Sequence, residues 1–177
     1  MRKKPPLCVL VSGGLDSSVL LAALTGRHRS VWPIYVRQGL RWESTELYWL
    51  RRFLRRIHSR SLRPLEVLSL PMGDLYRSHW STGRKSVPGA RSRDAAVFLP
   101  GRNLALSLKA AVFAASRGIR RLALGSLDHN PFPDVAPRFF AFASLAHYHL
   151  VLTSLLPPPS TLIQHVENLC RHFIRGT

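Results

Sequence analysis

A strand, a glycine turn and a helix open this chain in immediate succession, and that order constrains the fold more than any other feature. The apolar run Leu7-Cys8-Val9-Leu10-Val11 leads into Ser12-Gly13-Gly14-Leu15-Asp16-Ser17-Ser18, and the apolar stretch Val19-Leu20-Leu21-Ala22-Ala23-Leu24 follows. With no side chain at Gly13 and Gly14, backbone N–H groups can close around phosphate oxygens. The positive end of the following helix then points at the same anion. Ser12, Ser17 and Ser18 add hydroxyl donors, and Asp16 can hold a magnesium ion against the phosphates.

The loop is not a Walker A motif, because the G-x-x-x-x-G-K-[ST] spacing and its lysine are absent. It resembles the S-G-G-x-D-S signature of the PP-loop ATP pyrophosphatases. That resemblance implies a loop that grips pyrophosphate, through residues Ser12 to Ser18, in an enzyme that adenylates an oxygen of its substrate.

The rest of the chain supplies a sheet for such a loop. Val31 to Val36 reads as a second strand, with Gly26 marking the turn before it. Glu43 to His58 is the clearest amphipathic helix: Leu47, Leu50, Leu54 and Ile57 share a face, and Arg51, Arg52, Arg55 and Arg56 lie mostly elsewhere. Its acids at the start, Glu43 and Glu46, and its arginines toward the end both suit the helix dipole. Leu65 to Leu70 reads as a third strand. Residues 71–97 form a long polar loop, which is expected to act as a lid on the substrate side. Arg102 to Arg117 is a helix stopped by Gly118, and Arg121 to Gly125 is a fourth strand. Alternating strands and helices predict an α/β fold, a parallel sheet flanked by helices on both faces, with ligands outside the carboxyl ends of its strands.

Charge is the outlying property of the composition. Lys and Arg number 26 against 9 acids, a net of +17. Such a field attracts ATP, nucleic acid or anionic lipid without choosing among them, so an RNA partner is allowed but not required. The two cysteines, Cys8 and Cys170, form no C-x-x-C pair and no disulfide framework, so the chain is expected in the cytoplasm. The apolar run after Arg2-Lys3-Lys4 is too short for a signal peptide.

Two further segments repeat the placement of the first at a strand end or helix start. In Leu99-Pro100-Gly101-Arg102-Asn103 the proline and glycine set a turn, Arg102 can grip phosphate or carboxylate, and Asn103 can cap the helix or read a base edge. In Gly125-Ser126-Leu127-Asp128-His129-Asn130-Pro131-Phe132-Pro133-Asp134 two acids sit in a proline-locked loop suited to holding a heterocycle or a second metal. Asp16, Asp128 and Asp134 place three of the scarce acids in these loops.

Taken in order, the three segments resemble the 7-cyano-7-deazaguanine synthase family, the ExsB-like branch of the PP-loop superfamily. The likeness covers roughly residues 7 to 142, expected as one nucleotide-binding domain, with 143–177 a divergent tail. It implies ATP-driven conversion of 7-carboxy-7-deazaguanine and ammonia to the nitrile through an adenylated intermediate, without a membrane and compatible with a homodimer. Ser12, Gly13, Gly14, Leu15, Asp16, Ser17 and Ser18 would hold ATP, with Asp16 on magnesium and Asp16 and Ser17 at the chemistry. Arg102, Asn103, Asp128 and Asp134 would face the substrate.

The tail departs from the family. Its four-cysteine zinc site has no counterpart, so no zinc ligands are assigned, and there is no Lys, Arg, Asp or Glu between Phe139 and Val166. A change of reading frame near Ala143 would account for this and would leave a truncated, impaired ligase. Two other functions remain open: a PP-loop enzyme modifying tRNA, of the lysidine synthetase or thiolase type, and a non-catalytic ATP-binding remnant.

Overall fold

The computed structural model describes residues 4–125, apart from 78, 84, 85 and 90. Four strands, β1 (Leu7–Leu10), β2 (Val31–Arg37), β3 (Glu66–Ser69) and β4 (Leu122–Leu124), form one sheet in the order β3-β2-β1-β4. Every pairing is parallel. Three helices connect them: α1 (Leu15–Leu24), α2 (Glu43–Arg56) and α3 (Arg102–Ser116).

Side-chain alternation along the central strands decides which helix covers which face. Leu7, Val9, Val11, Val31 and Tyr35 pack with Leu21 of α1 and with Leu47 and Leu50 of α2. Cys8, Leu10, Ile34 and Val36 point the other way, against Ala110, Phe113 and Ala114 of α3. The sheet is therefore covered on both faces, as the near-continuous apolar runs of β1 and β2 require of a parallel sheet. Pro33 lies in the interior strand β2, yet pairing with β3 begins only at Ile34, so its missing N–H falls outside that ladder.

The connections explain the strand order. α1 and α2 lie on one face and carry the chain from β1 to β2 to β3. α3 crosses the other face, where it contacts β2, β1 and β4, and delivers β4 to the far side of β1. The winding reverses between β1 and β4, and in sheets of this kind ligands bind outside the carboxyl ends at that reversal. The carboxyl end of β1 runs straight into Ser12.

The element boundaries sharpen the sequence reading. α1 starts at Leu15 rather than Ser17, because Gly14 is extended (φ −75°, ψ 167°) and occupies the N-cap, so Asp16 stands in the first turn. Gly118, at φ 65°, ends α3 in the left-handed conformation expected of a helix stop. Among the described residues of 71–97 there is one short 3₁₀ turn, Asp94–Ala96. They are tied down at several points: Met72 N donates to Gln38 O, Arg41 N donates to Ser81 O, and Trp80 Nε1 donates to Ala96 O. Tyr76 Oη donates to Pro100 O, and the Trp80 ring sits 5.1 Å from that of Trp42. None of these residues lines the cavity described below, so the lid expected here is, among the described residues, a strap beside the site.

Candidate active site

Strand ends, the glycine loop and the start of α3 enclose a cavity of about 140 Å³ at the reversal point. Leu10, Val11, Ser12 and Ser17 come from the β1 side, Tyr35, Val36, Glu43 and Glu46 from β2 and α2, Arg102 and Asn103 from α3, and Gly125 from the end of β4. Residues separated by some ninety positions in the chain thus share one wall.

The loop is held by its own hydroxyls. Ser17 Oγ donates to Gly14 O at 3.1 Å and accepts from Ser12 N at 3.2 Å, while Ser12 Oγ accepts from Gly14 N at 3.2 Å. Gly13 sits at φ 79°, and a Cβ there would lie 2.7 Å from the Glu46 carbonyl oxygen and 3.3 Å from Leu50 Cβ. The loop therefore lies directly on the backbone of α2, an approach that only glycine permits. Gly125 closes the other side, where an added Cβ would lie 3.4 Å from the Asp16 backbone and Ser17 Cα.

These contacts sort the expected residues. Ser12, Ser17, Arg102 and Asn103 are brought together at the cavity. Gly13 and Gly14 shape the turn, and Asp16, exposed in the first turn of α1, is not among the residues that line the cavity. Leu15 and Ser18 turn away from the cavity toward a groove between α1 and α2. Gly101, not Asn103, is the N-cap of α3, with φ 72° and no side-chain cap, so Asn103 lies within the first turn at the cavity wall. Asp128 and Asp134, the segment after Gly125 and the tail 143–177 lie outside the described residues. Among the described residues no three His, Cys, Asp or Glu side chains cluster to hold a metal ion. No described helix is long and apolar enough to cross a membrane.

The donor set fits a phosphate chain. α1 and α3 both begin at the cavity, so two helix N-termini bring partial positive charge to it, and the arginine of the second adds a full charge. Asp16, exposed in the first turn of α1, would hold a magnesium ion, whose charge would offset that of the phosphates.

A polar network beneath this wall has no counterpart in the sequence reading, which assigned Glu43 and Glu46 only to the helix dipole. Buried Glu43 accepts from the backbone N–H of Gln38 and Gly39 and pairs with Arg37 at 3.4 Å, fixing the turn between β2 and α2. Arg102 Nε donates to the Oε1 of fully buried Gln38 at 3.0 Å, which ties α3 to the end of β2. Tyr35 Oη donates to Glu46 Oε2 at 2.7 Å. The available signal was placement: two of nine acids follow a strand end and a glycine turn, as Asp16 does.

Burial pushes the Glu46 carboxyl above its ordinary value of 4.5, while the Tyr35 hydroxyl, the Arg102 charge and Trp42 pull the other way. The unfolded chain releases that proton first, so the folded state binds more protons between the two values, and stability falls as pH rises through this window. Glu46→Gln is expected to remove this loss. The variant should melt above the parent at pH 8, with the difference vanishing near pH 4. Equal melting temperatures at both pH values would contradict the assignment.

Comparison with known proteins accords with this geometry. Residues 7–151 match the family model described as queuosine biosynthesis protein QueC. The chain belongs to that family. It is 25% identical to 7-cyano-7-deazaguanine synthase 1 of Desulfitobacterium hafniense (strain Y51) over 174 residues, covering 94% of this chain and 78% of that protein. It is 29% identical to the 7-cyano-7-deazaguanine synthase of Azoarcus sp. (strain BH72) over 152 residues, which is 83% of this chain and 65% of the relative. The family match spans the glycine loop, the Arg102 segment and residues 125–134.

Proposed function

We propose that this chain is an ATP-dependent C–N ligase of the cytoplasm that converts 7-carboxy-7-deazaguanine and ammonia to 7-cyano-7-deazaguanine, releasing AMP and pyrophosphate. The observation that carries this reading is the meeting of Ser12 and Ser17 with Arg102 and Asn103 across one cavity. It is supported by the activity for which the two relatives are named.

The chemical difficulty is that a carboxylate must attack phosphorus that already carries negative oxygens. The α1 N-terminus, through the backbone N–H groups of its first turn, holds the phosphate tail, and Arg102 offsets charge as it builds on the α-phosphate. Asp16 would hold a magnesium ion, which would supply charge neutralisation for the leaving pyrophosphate. Asn103, with Asp128 and Asp134 of the 125–134 sequence motif, orients the deazapurine so that its carboxylate oxygen lies in line. Ammonia then displaces AMP to give the amide, and a second adenylation, on the amide oxygen, allows its dehydration to the nitrile.

The test is pyrophosphate and AMP release by the full chain with ATP, magnesium and ammonium. Release stimulated by 7-carboxy-7-deazaguanine is the expected result. Stimulation by unmodified tRNA instead would assign the site to tRNA modification, and ATP binding with no release under either condition would leave a nucleotide-binding remnant.

A further inference from the structure

The phosphate loop has a second face. Ser12 and Ser17 line the cavity, whereas Gly13 and Ser18 line a separate open groove of about 580 Å³ between α1 and α2. Its walls are Leu15, Val19 and Ala22 on α1 and Trp49 and Phe53 on α2, with Arg52 and Arg56 at its edge. Leu15 is 79% exposed, Val19 59% and Trp49 56%, so the groove is an apolar surface open to solvent.

Its arginines are ordered by aromatic rings rather than by acids. The Arg52 guanidinium lies 5.6 Å from the Trp49 ring centre and 5.7 Å from that of Tyr48, and its Nη1 donates to Tyr48 Oη at 3.2 Å. Tyr48 and Trp49 meet edge to face, 5.3 Å apart. Among the described residues, none of Arg51, Arg52, Arg55 and Arg56 pairs with a carboxylate. The two acids of α2 are engaged elsewhere, Glu43 at the turn and Glu46 at the cavity. Asp16, on the loop, is the acid of α1.

Exposed aromatic planes beside unpaired arginines, on a chain of net charge +17, suit a ligand that is planar and anionic at short intervals. Single-stranded nucleic acid has that chemistry: bases stack on aromatic faces and phosphates pair with guanidinium groups. An acidic peptide would engage the arginines and leave the ring faces unused. We propose that the α1–α2 groove binds single-stranded nucleic acid, with bases against Trp49 and Tyr48 and phosphates on Arg52 and Arg56. The proposal is independent of the reaction assigned to the cavity.

The test uses the full chain and fluorescein-labelled dodecamers of uridylate and deoxythymidylate, titrated across a range of salt. Binding of either strand supports the proposal, and the ratio of the two affinities tells RNA from DNA. Trp49→Ala should weaken binding roughly tenfold, and Trp49→Phe, which keeps a stacking face, should restore most of it. Removing Arg52 and Arg56 together should reduce the slope of log affinity against log salt by about 1.4. The proposal is overturned if neither strand binds, or if affinity is indifferent to Trp49→Ala. Equal binding of polyglutamate would assign the groove to an acidic protein. A parent dimer that Trp49→Ala dissociates, with no strand bound, would assign it to a second copy of the chain.

Discussion

Gly13→Ala should lower the unfolding free energy by about 3 kcal/mol and abolish measurable ATP binding. Two costs combine. Placing a side chain at φ 79° carries a penalty of about 1–2 kcal/mol. The added Cβ would also lie 2.7 Å from the Glu46 carbonyl oxygen, part of the α2 backbone, which cannot rotate aside as a side chain would. The loop must therefore lift off α2, and the α1 N-terminus proposed to hold the phosphates shifts with it. Gly14→Ala is the matched control. Its φ of −75° suits any residue, and the nearest obstacle is the Ser12 hydroxyl at 3.3 Å. The cost there should stay under about 1 kcal/mol. Urea unfolding and ATP titration of the two variants decide the matter: equal losses would mean that the loop does not depend on its seat against α2.

Asp16→Asn should reduce pyrophosphate release by roughly 100-fold or more while leaving stability within about 0.5 kcal/mol of the parent. The asymmetry follows from position. Asp16 is exposed in the first turn of α1, so the fold loses little beyond a favourable contact with the helix dipole. The proposed reaction, by contrast, loses the carboxylate that would hold magnesium against the phosphates. Release measured over a magnesium titration, beside thermal unfolding, separates these effects. Unchanged release would remove the metal role assigned to Asp16, and with it the account of how the leaving group is neutralised.

The local features that could be read from the chain were those whose cause is local. Leu7 to Val11 reads as a buried strand because it is an uninterrupted apolar run, and α2 reads as a helix because Leu47, Leu50, Leu54 and Ile57 recur at helical spacing. The glycine turn reads as the link between β1 and α1 because two glycines stand between an apolar strand and an apolar helical stretch. The network of Tyr35, Gln38, Glu43, Glu46 and Arg102 was not legible, because each bond joins groups whose partner depends on how α2 and α3 are placed. Gln38 looks like an ordinary polar residue at a strand end until α3 brings Arg102 to it. Leu15 and Ser18 lie within the loop motif, yet a helix that starts at Leu15 turns both away from the cavity.

The order of residues alone determined the alternation of strand and helix, the parallel sheet and the glycine turn after the first strand. These follow from hydrophobic period and glycine placement over a few neighbouring positions. Tertiary structure decided that α3 crosses the opposite face to α1 and α2, so that the winding reverses beside β1 and Arg102 arrives at the same cavity as Ser12. It also decided why Gly13 must be glycine, since the obstacle to a side chain there is the backbone of a helix some thirty residues away. Contacts of that range depend on how whole faces pack, and no short window of the chain encodes them.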